Sequence, residues 1–279
     1  MITTICVCGA GTMGAGIAQA AAQHGFRVIL YDLSQAALEK SALQIRKNLQ
    51  LLVEKQKISG GVSQTILEHI RFVQEPDECV ADLVIEAVIE KPAIKIELFR
   101  RLAAINNADT ILASNTSSLS ITEIAKELPD PSRVIGMHFF NPPTIMRLVE
   151  IVRTEFTSEE VIQRISALAK DMGKTPVICR DAPGFIVNRV ARPYYIESLR
   201  MAEEGLPMSL VDALMETAGF KMGPFKLMDL IGNDINYAVS CSVYEQLGKP
   251  ERLKPSYIQQ QKVESGQLGR KSGAGYYTY

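Results

Sequence analysis

Short apolar runs alternate with longer amphipathic segments through the first two thirds of the chain. Five mostly apolar runs predict strands, at residues 2–8, 27–31, 82–88, 110–115 and 175–180, the first of them buried. The segments between them carry apolar residues at helical spacing, and the longest of these runs from about Gln35 to Lys57. Because predicted strands and helices alternate along the chain, we expect a mostly parallel sheet covered by helices.

The alternation stops after residue 182, where Pro183 and Gly184 interrupt the pattern. Beyond this point the spacing predicts only helices, over 185–204, 209–218 and 233–247, and the stretch from Gly219 to Asp229 is interpreted as a break between them. We therefore predict two domains, an α/β domain over residues 1–182 and a smaller all-α domain over residues 183–279.

A glycine pattern follows the first predicted strand and opens the first helix. Gly9, Gly11 and Gly14 form G-x-G-x-x-G around Thr12 and Met13, which is the arrangement that binds the pyrophosphate of a dinucleotide at a helix N-terminus. Asp32 ends the second strand 18 residues after Gly14, where an acid hydrogen-bonds the adenosine ribose hydroxyls. The next residues are Leu33 and Ser34, so no arginine follows to meet a 2′-phosphate, and NAD is favoured over NADP.

This context makes the first domain a Rossmann-type dinucleotide-binding domain, although a glycine-rich turn without a ligand is the alternative. Composition is that of an ordinary soluble globular protein, since 47% of the 279 residues are hydrophobic and 22% are charged, with a net charge of −1. The absence of a basic block argues against nucleic acid as a partner. No apolar run approaches the roughly 20 residues that span a bilayer, and we expect neither a membrane segment nor a signal peptide. Five scattered cysteines suggest no metal site and favour the cytoplasm.

The stretch HFFNPPTIMRLVE carries the candidate chemistry. His138 stands at the end of an apolar run that predicts a strand, and Glu150 lies inside the next apolar run. A buried carboxylate needs a partner, so we expect Glu150 on a neighbouring strand to bind one imidazole nitrogen of His138. The other nitrogen would then exchange a proton with a substrate. A histidine satisfied within the core is the alternative, and His24 and His69 are interpreted as structural.

Further polar residues fall at the carboxyl ends of the predicted strands, where parallel sheets bind ligands. These are Glu90, Asn115 and Ser117, and with His138 they predict one shared site, against the alternative of unrelated loop residues. Asn188 falls near the start of the first helix of the second domain. Lys47 and Lys55 lie near one face of the long helix, where they would meet an anionic substrate tail or simply face solvent.

Together these motifs resemble the 3-hydroxyacyl-CoA dehydrogenases, most closely the short bacterial members that act on 3-hydroxybutyryl-CoA. The resemblance covers essentially the whole chain and rests on GAGTMGAGIAQ, IEAVIE, ILASNTSSLSIT, GMHFFNPPTIMRLVEIV, DAPGFIVNR, MGPFKLMDLIGND and GRKSGAGYY. It implies that His138 is the general acid/base for the 3-hydroxyl and that Glu150 orients it. It also implies that Ser117 and Asn188 hydrogen-bond the reacting oxygen.

The resemblance implies an NAD cofactor, an acyl-CoA thioester substrate and a homodimer formed through the helical domain. The cofactor contacts that it implies are Gly9, Gly11, Thr12, Met13, Gly14, Asp32, Glu90, Lys95, Asn115, Asn141 and Lys271. For coenzyme A the family's contacts align roughly with Asn48 and Lys55. Two other functions stay open, a dehydrogenase of a free hydroxy or sugar acid on the same fold and a catalytically silent NAD-binding relative.

Overall fold

The computed structural model describes residues 2–279, and the chain divides into two compact units, Met1–Asp181 and Ala182–Tyr279. The first unit is an α/β domain, and the second consists of helices with short turns. The predicted fold class, a Rossmann-type domain with a mostly parallel sheet followed by a smaller all-α domain, is therefore confirmed.

Eight strands form the sheet of the first unit in the order β3-β2-β1-β4-β5-β6-β7-β8. Only the β6–β7 pair is antiparallel. The order reverses between β1 and β4, which is the point where such sheets bind dinucleotides. The strands are β1 Thr4–Cys8, β2 Arg27–Tyr31, β3 Ile70–Val73, β4 Leu83–Glu86, β5 Ile111–Ser114, β6 Val134–Phe139, β7 Leu148–Arg153 and β8 Thr175–Arg180.

Six helices belong to the first unit: α1 Thr12–Gln23, α2 Gln35–Glu54, α3 Gly60–Glu68, α4 Pro92–Ile105, α5 Ile121–Lys126 and α6 Glu159–Asp171. Serine side chains cap four of them, because the hydroxyl accepts a bond from a backbone N–H that the first turn leaves without a partner. The caps are Ser34 on α2, Ser59 on α3, Ser120 on α5 and Ser158 on α6. No helix among residues 2–279 has both the length and the apolar character that crossing a membrane requires.

The core of the first unit lies between the sheet and its helices. Strands β1, β4 and β5 are buried on almost every residue, as expected for central strands of a parallel sheet. The alanine-rich α1 packs closely against this sheet through Ala18, Ala21 and Ala22, which are almost fully buried. Close packing of α1 keeps its N-terminus at the carboxyl end of β1.

The second unit has five helices: α7 Val187–Glu203, α8 Met208–Thr217, α9 Pro224–Ile231, α10 Asn233–Gln246 and α11 Tyr257–Glu264. The predicted break is confirmed from Gly219 to Gly223, but its continuation to Asp229 was wrong, because Pro224 begins α9 at a position where the missing N–H of proline costs no helical bond. The C-terminal tail packs down. Buried Asp229 accepts bonds from the backbone N–H groups of Tyr276 and Tyr277, each at 2.9 Å.

Candidate active site

The glycine loop between β1 and α1 has the shape that a pyrophosphate needs. Gly9 has a φ of +105°, and a β-carbon there would lie 2.6 Å from the carbonyl oxygen of Ala87. A β-carbon at Gly14 would lie 1.7 Å from the carbonyl oxygen of Gly9, so only glycine allows this close approach. A β-carbon at Gly11, in contrast, would meet no atom within 4 Å. This open space above the N-terminus of α1, beside Thr12 and Met13, fits a dinucleotide phosphate.

Asp32 joins the end of β2 to the glycine loop. Its Oδ2 accepts a hydrogen bond of 2.7 Å from the backbone N–H of Ala10, and its Oδ1 accepts one of 2.8 Å from Ser34. A carboxylate has about four acceptor positions, so these two bonds leave capacity for ribose hydroxyls. The structure therefore places Asp32 beside the loop, and its contact with the adenosine ribose stays a prediction.

The pair His138–Glu150 has the predicted geometry. The two residues are directly opposite in the antiparallel β6–β7 register, and Nδ1 of His138 lies 2.7 Å from Oε2 of Glu150. Their side chains are only 7% and 1% exposed, so the contact is formed largely away from water. The ring of Phe140 packs against His138 with centroids 4.6 Å apart. Strand register thus holds the imidazole at the carboxyl edge of the sheet.

The loop between β6 and β7 carries Asn141, an exposed residue at the same edge. Lys174, which is 9% exposed, holds this loop through its ammonium group. Nζ donates to the carbonyl oxygens of Pro143 and Met146, the latter at 3.0 Å. Burial lowers the pKa of Lys174. The sequence pattern gave no indication of this contact.

Glu90 binds the polar loop that follows β5 through hydrogen bonds. Its Oε1 accepts bonds from the hydroxyl of Thr116, from the backbone N–H of Ser117 at 3.2 Å and from the hydroxyl of Ser118 at 3.1 Å. Burial alone would raise the pKa of Glu90, but the ion pair with Lys95 and these hydrogen bonds outweigh it and hold the pKa below its usual range. Glu90 is therefore a charged anchor for the segment that carries Ser117.

Lys95 lies between two carboxylates. Its side chain is 1% exposed, and Nζ lies 2.6 Å from Oε1 of Glu86 and 3.0 Å from Oε2 of Glu90. Glu86 is fully buried and also accepts a bond of 2.6 Å from the hydroxyl of Ser114. Lys95 is thus a buried cation that forms an ion pair with Glu90. Its direct contact with a cofactor stays a prediction.

Glu86 is a site residue that the sequence reasoning missed. It ends the apolar run LVIE, and a buried acid in such a run needs a partner, as Glu150 does in its own strand. Lys95, nine residues further on, is that partner. The apolar run therefore indicates that Glu86 needs a partner, but it does not identify Lys95 as that partner.

The structure brings the ends of β5 and β6 together through Asn115. Its side-chain oxygen accepts a bond of 2.9 Å from the backbone N–H of Phe139, the residue after His138. In the first unit, then, β4, β5 and β6 present Glu90, Ser117 and His138 at the same edge of the sheet.

Other predicted site residues lie outside this cluster. Asn48 lies on α2, where its amide donates to the side-chain oxygen of Gln19 at 3.0 Å, and Lys55 is exposed at the end of that helix. Asn188 and Lys271 belong to the second unit. Asn188 is the second residue of α7, and Lys271 forms an ion pair with Asp234 at 2.5 Å.

The glycine loop, Asp32 and the sheet order define a dinucleotide-binding α/β domain. Two family models match the chain and cover nearly all of it. The 3-hydroxyacyl-CoA dehydrogenase NAD binding domain matches residues 4–182, and the 3-hydroxyacyl-CoA dehydrogenase C-terminal domain matches residues 184–279. The chain belongs to the 3-hydroxyacyl-CoA dehydrogenase family, and the prediction of an NAD-binding domain is confirmed.

Relatives extend over the whole chain. A 3-hydroxyadipyl-CoA dehydrogenase of Escherichia coli is 46% identical, and the match covers 100% of this chain and 59% of that protein. A probable 3-hydroxybutyryl-CoA dehydrogenase of Deinococcus radiodurans is 41% identical over 98% of this chain and 99% of the relative. The crystal structure of (S)-3-hydroxybutyryl-CoA dehydrogenase from Ralstonia eutropha has a TM-score of 0.96 at 36% identity and covers 100% of this chain and 99% of that one.

Proposed function

We propose that the protein oxidises short-chain (S)-3-hydroxyacyl-CoA thioesters, including (S)-3-hydroxybutyryl-CoA, to the 3-oxoacyl-CoA with NAD, and catalyses the reverse reduction. The observation that carries this proposal is the buried 2.7 Å contact between Nδ1 of His138 and Oε2 of Glu150 at the carboxyl edge of a dinucleotide-binding sheet. An imidazole held in this way has its tautomer and orientation set by the carboxylate. The family match supports the same assignment.

In the oxidation, Nε2 of His138 takes the proton of the 3-hydroxyl as C3 becomes a carbonyl carbon. NAD, which the glycine loop and Asp32 would hold, would accept the hydride that leaves C3. Glu150 stabilises the imidazolium that forms, because its charge lies next to Nδ1 in a site with little water. In the reduction, the same proton returns from His138 to the oxygen.

Two further residues are proposed to hold the reacting oxygen. Ser117 follows β5, where Glu90 anchors its backbone, and Asn188 lies in the first turn of α7. A hydroxyl and an amide both donate hydrogen bonds, and donors stabilise the charge that develops on the oxygen in the transition state. These roles come from the matching family motifs SNTSS and PGFIVNR.

The cofactor contacts are proposed at the positions that match the family motifs. The glycine loop with Thr12 and Met13 would bind the pyrophosphate, and Asp32 the adenosine ribose. The remaining contacts are proposed for Glu90, Lys95, Asn115, Asn141 and Lys271. For coenzyme A we propose Lys55, whose exposed ammonium suits a phosphate, and Asn48, although the amide of Asn48 already binds Gln19.

A homodimer formed through the second unit is proposed as well. This unit exposes large apolar side chains, including Leu210 at 47%, Leu214 at 57% and Phe220 at 50%. Exposed apolar patches of this kind mark association surfaces. We also propose the cytoplasm as its location, since all five cysteines are free thiols. Light scattering would measure the oligomeric state directly.

The proposed activity is tested by NADH oxidation with acetoacetyl-CoA, with free acetoacetate as the comparison substrate. We expect turnover of the thioester and little turnover of the free acid. Turnover of the free acid alone would favour the alternative function, a dehydrogenase of a free hydroxy acid on the same fold. No oxidation of NADH with either compound, together with intact NADH binding, would instead indicate a silent relative.

Replacement of Glu150 with glutamine tests the orienting role. Glutamine keeps the shape of the side chain but removes the charge that stabilises the imidazolium, so kcat should fall by about 10²–10⁴-fold. The dissociation constant of NADH, measured by fluorescence titration, should change little. A large loss of NADH affinity with unchanged kcat would place Glu150 in a cofactor-binding role instead.

The preference for NAD is tested by combining Asp32→Ala with Leu33→Arg. Leu33 is 73% exposed, so an arginine fits there without disturbing the core. The double variant should gain at least about tenfold in its preference for NADPH over NADH, because an arginine replaces repulsion with attraction at the 2′-phosphate. Leu33→Arg alone is the control. If the ratio of the two Kd values stays that of the wild type, Asp32 does not contact the ribose.

A further inference from the structure

Arg192 is a buried cation in the second unit. It lies on α7, is 3% exposed, and donates through Nε to the carbonyl oxygen of Asn188 at 3.1 Å. Its Nη1 donates to the carbonyl oxygen of Asn236 at 3.0 Å and to the hydroxyl of Ser240 at 2.9 Å. These acceptors are neutral, and no carboxylate within residues 2–279 forms an ion pair with it. A buried charge without a counter-charge is costly, so this arrangement favours an anionic ligand.

Donors remain in excess around this guanidinium. The three hydrogen bonds use Nε and Nη1, and none of them uses the two N–H groups of Nη2. Asn236, which Arg192 contacts, is 2% exposed, and its Nδ2 is buried with no hydrogen-bond partner. The amide oxygen of Asn236 already accepts a bond of 3.1 Å from Gln259. The buried Nδ2 of Asn236 is thus a donor without an acceptor, and it lies in a residue that contacts a guanidinium with N–H groups to spare. A carboxylate supplies acceptors on two oxygens.

The electrostatic setting agrees with an anion site. The guanidinium lies 4.9 Å from the centre of the Tyr195 ring, which offers a cation–π contact but no negative charge to pair with. Burial lowers the pKa of Arg192 to about 10, against a smaller opposing effect of Tyr195. The environment thus disfavours the charged form of Arg192, and a bound carboxylate would stabilise that charged form.

We infer that Arg192 binds a carboxylate at the far end of the substrate's acyl chain, so that carboxylate-terminated 3-hydroxyacyl thioesters are preferred over uncharged chains of the same length. This inference rests on the proposed function, in which Asn188 holds the oxygen on C3. Arg192 follows Asn188 by four residues, so both lie on one face of α7, about one turn or ~6 Å apart along the helix axis. In a six-carbon chain the terminal carboxylate carbon is three bonds beyond C3 and its oxygens are four bonds beyond, which is a span of the same order.

The test compares adipyl-CoA with hexanoyl-CoA, two thioesters of equal length that differ at the chain end and lack the 3-hydroxyl. Isothermal titration calorimetry gives a Kd for each. Wild-type protein should bind adipyl-CoA about 10- to 100-fold more tightly, the range expected for hydrogen bonds to a charged group. Arg192→Met should bring the two Kd values within about threefold of each other. Arg192→Lys keeps the charge but loses the planar fork, so its ratio of the two Kd values should lie between those of the wild type and Arg192→Met.

Two further variants separate binding from folding. Arg200→Met removes a guanidinium from the same helix, where it pairs with Glu197 at 2.9 Å, and should leave the ratio of Kd values unchanged. Asn236→Asp keeps Arg192 but places a carboxylate on its neighbour, and should abolish the preference by repulsion. Because the ratio compares two ligands on one variant, partial unfolding cancels from it.

Equal Kd values for the two thioesters in wild-type protein would overturn the inference. It would also be overturned if Arg192→Met weakened both ligands equally and left their ratio unchanged, since that result describes a purely structural arginine. The proposed function is tested separately by turnover of acetoacetyl-CoA, which has no terminal carboxylate. Turnover of that substrate without any preference for adipyl-CoA would reject the inference alone, and a preference without turnover would reject the proposed function alone.

Discussion

Replacing His138 with alanine is expected to lower kcat by about 10²–10⁴-fold, because the substrate hydroxyl then loses its positioned base. Stopped-flow or steady-state NADH oxidation with acetoacetyl-CoA measures this loss. The NADH dissociation constant should stay within about threefold of the wild-type value, since the histidine is proposed to act on the substrate. Removal of the ring also leaves Glu150, which is 1% exposed, without its partner, so some loss of stability should accompany the change.

His24→Ala is the matched control for this variant. His24 ends α1, where its Nδ1 lies 2.8 Å from the carbonyl oxygen of Ala20, and it is exposed. Its removal should leave kcat nearly unchanged. If His138→Ala retained wild-type turnover while His24→Ala lost it, the assignment of the general base would be wrong.

Alanine substitutions at Gly14 and Gly11 are expected to abolish tight NADH binding for two different reasons. At Gly14 the new methyl group would lie 1.7 Å from the carbonyl oxygen of Gly9, so the loop itself must move. Such overpacking costs about 1–3 kcal/mol of stability. At Gly11 the methyl group meets no protein atom within 4 Å, so the fold tolerates it, but it occupies space proposed for the pyrophosphate.

Both variants should lose about 10- to 150-fold in NADH affinity, which corresponds to one hydrogen bond to a charged phosphate. Thermal unfolding distinguishes the two variants, since Tm should fall clearly for Gly14→Ala and only slightly for Gly11→Ala. Gly25→Ala is unsuitable as a control, because Gly25 has a φ of +86° and would be strained for that reason alone. Undiminished NADH binding by Gly11→Ala would show that the phosphate does not approach this loop.

Strong local patterns made most of the first unit predictable. The strands over 27–31 and 175–180 were confirmed with their exact bounds. Each is a run of apolar and β-branched residues bounded by polar ones, a pattern that predicts a strand and both of its ends. Strand β3, with only four residues and two of them buried, was not predicted. A strand this short gains its stability from pairing with β2 rather than from its own sequence.

The pair His138–Glu150 was predictable because both residues interrupt apolar runs that a short turn joins, which brings antiparallel strands into register. The network of Glu86, Lys95 and Glu90 was only partly predictable. Lys95 occupies a helix position that is compatible with solvent, and nothing in its spacing shows that α4 packs it against two carboxylates. Burial of such a residue is a property of helix packing on the sheet.

The amino-acid sequence by itself determined the alternation of strands and helices, the glycine loop with its terminal acid and the identity of the histidine with its carboxylate, because each is marked by a recognisable pattern of apolar, glycine and polar residues. Only the tertiary structure decided which buried charges find partners. It paired Lys95 with two glutamates and surrounded Arg192 with neutral acceptors, since these contacts depend on how each helix packs against its neighbours, and their free energy depends on water being excluded from both partners at once.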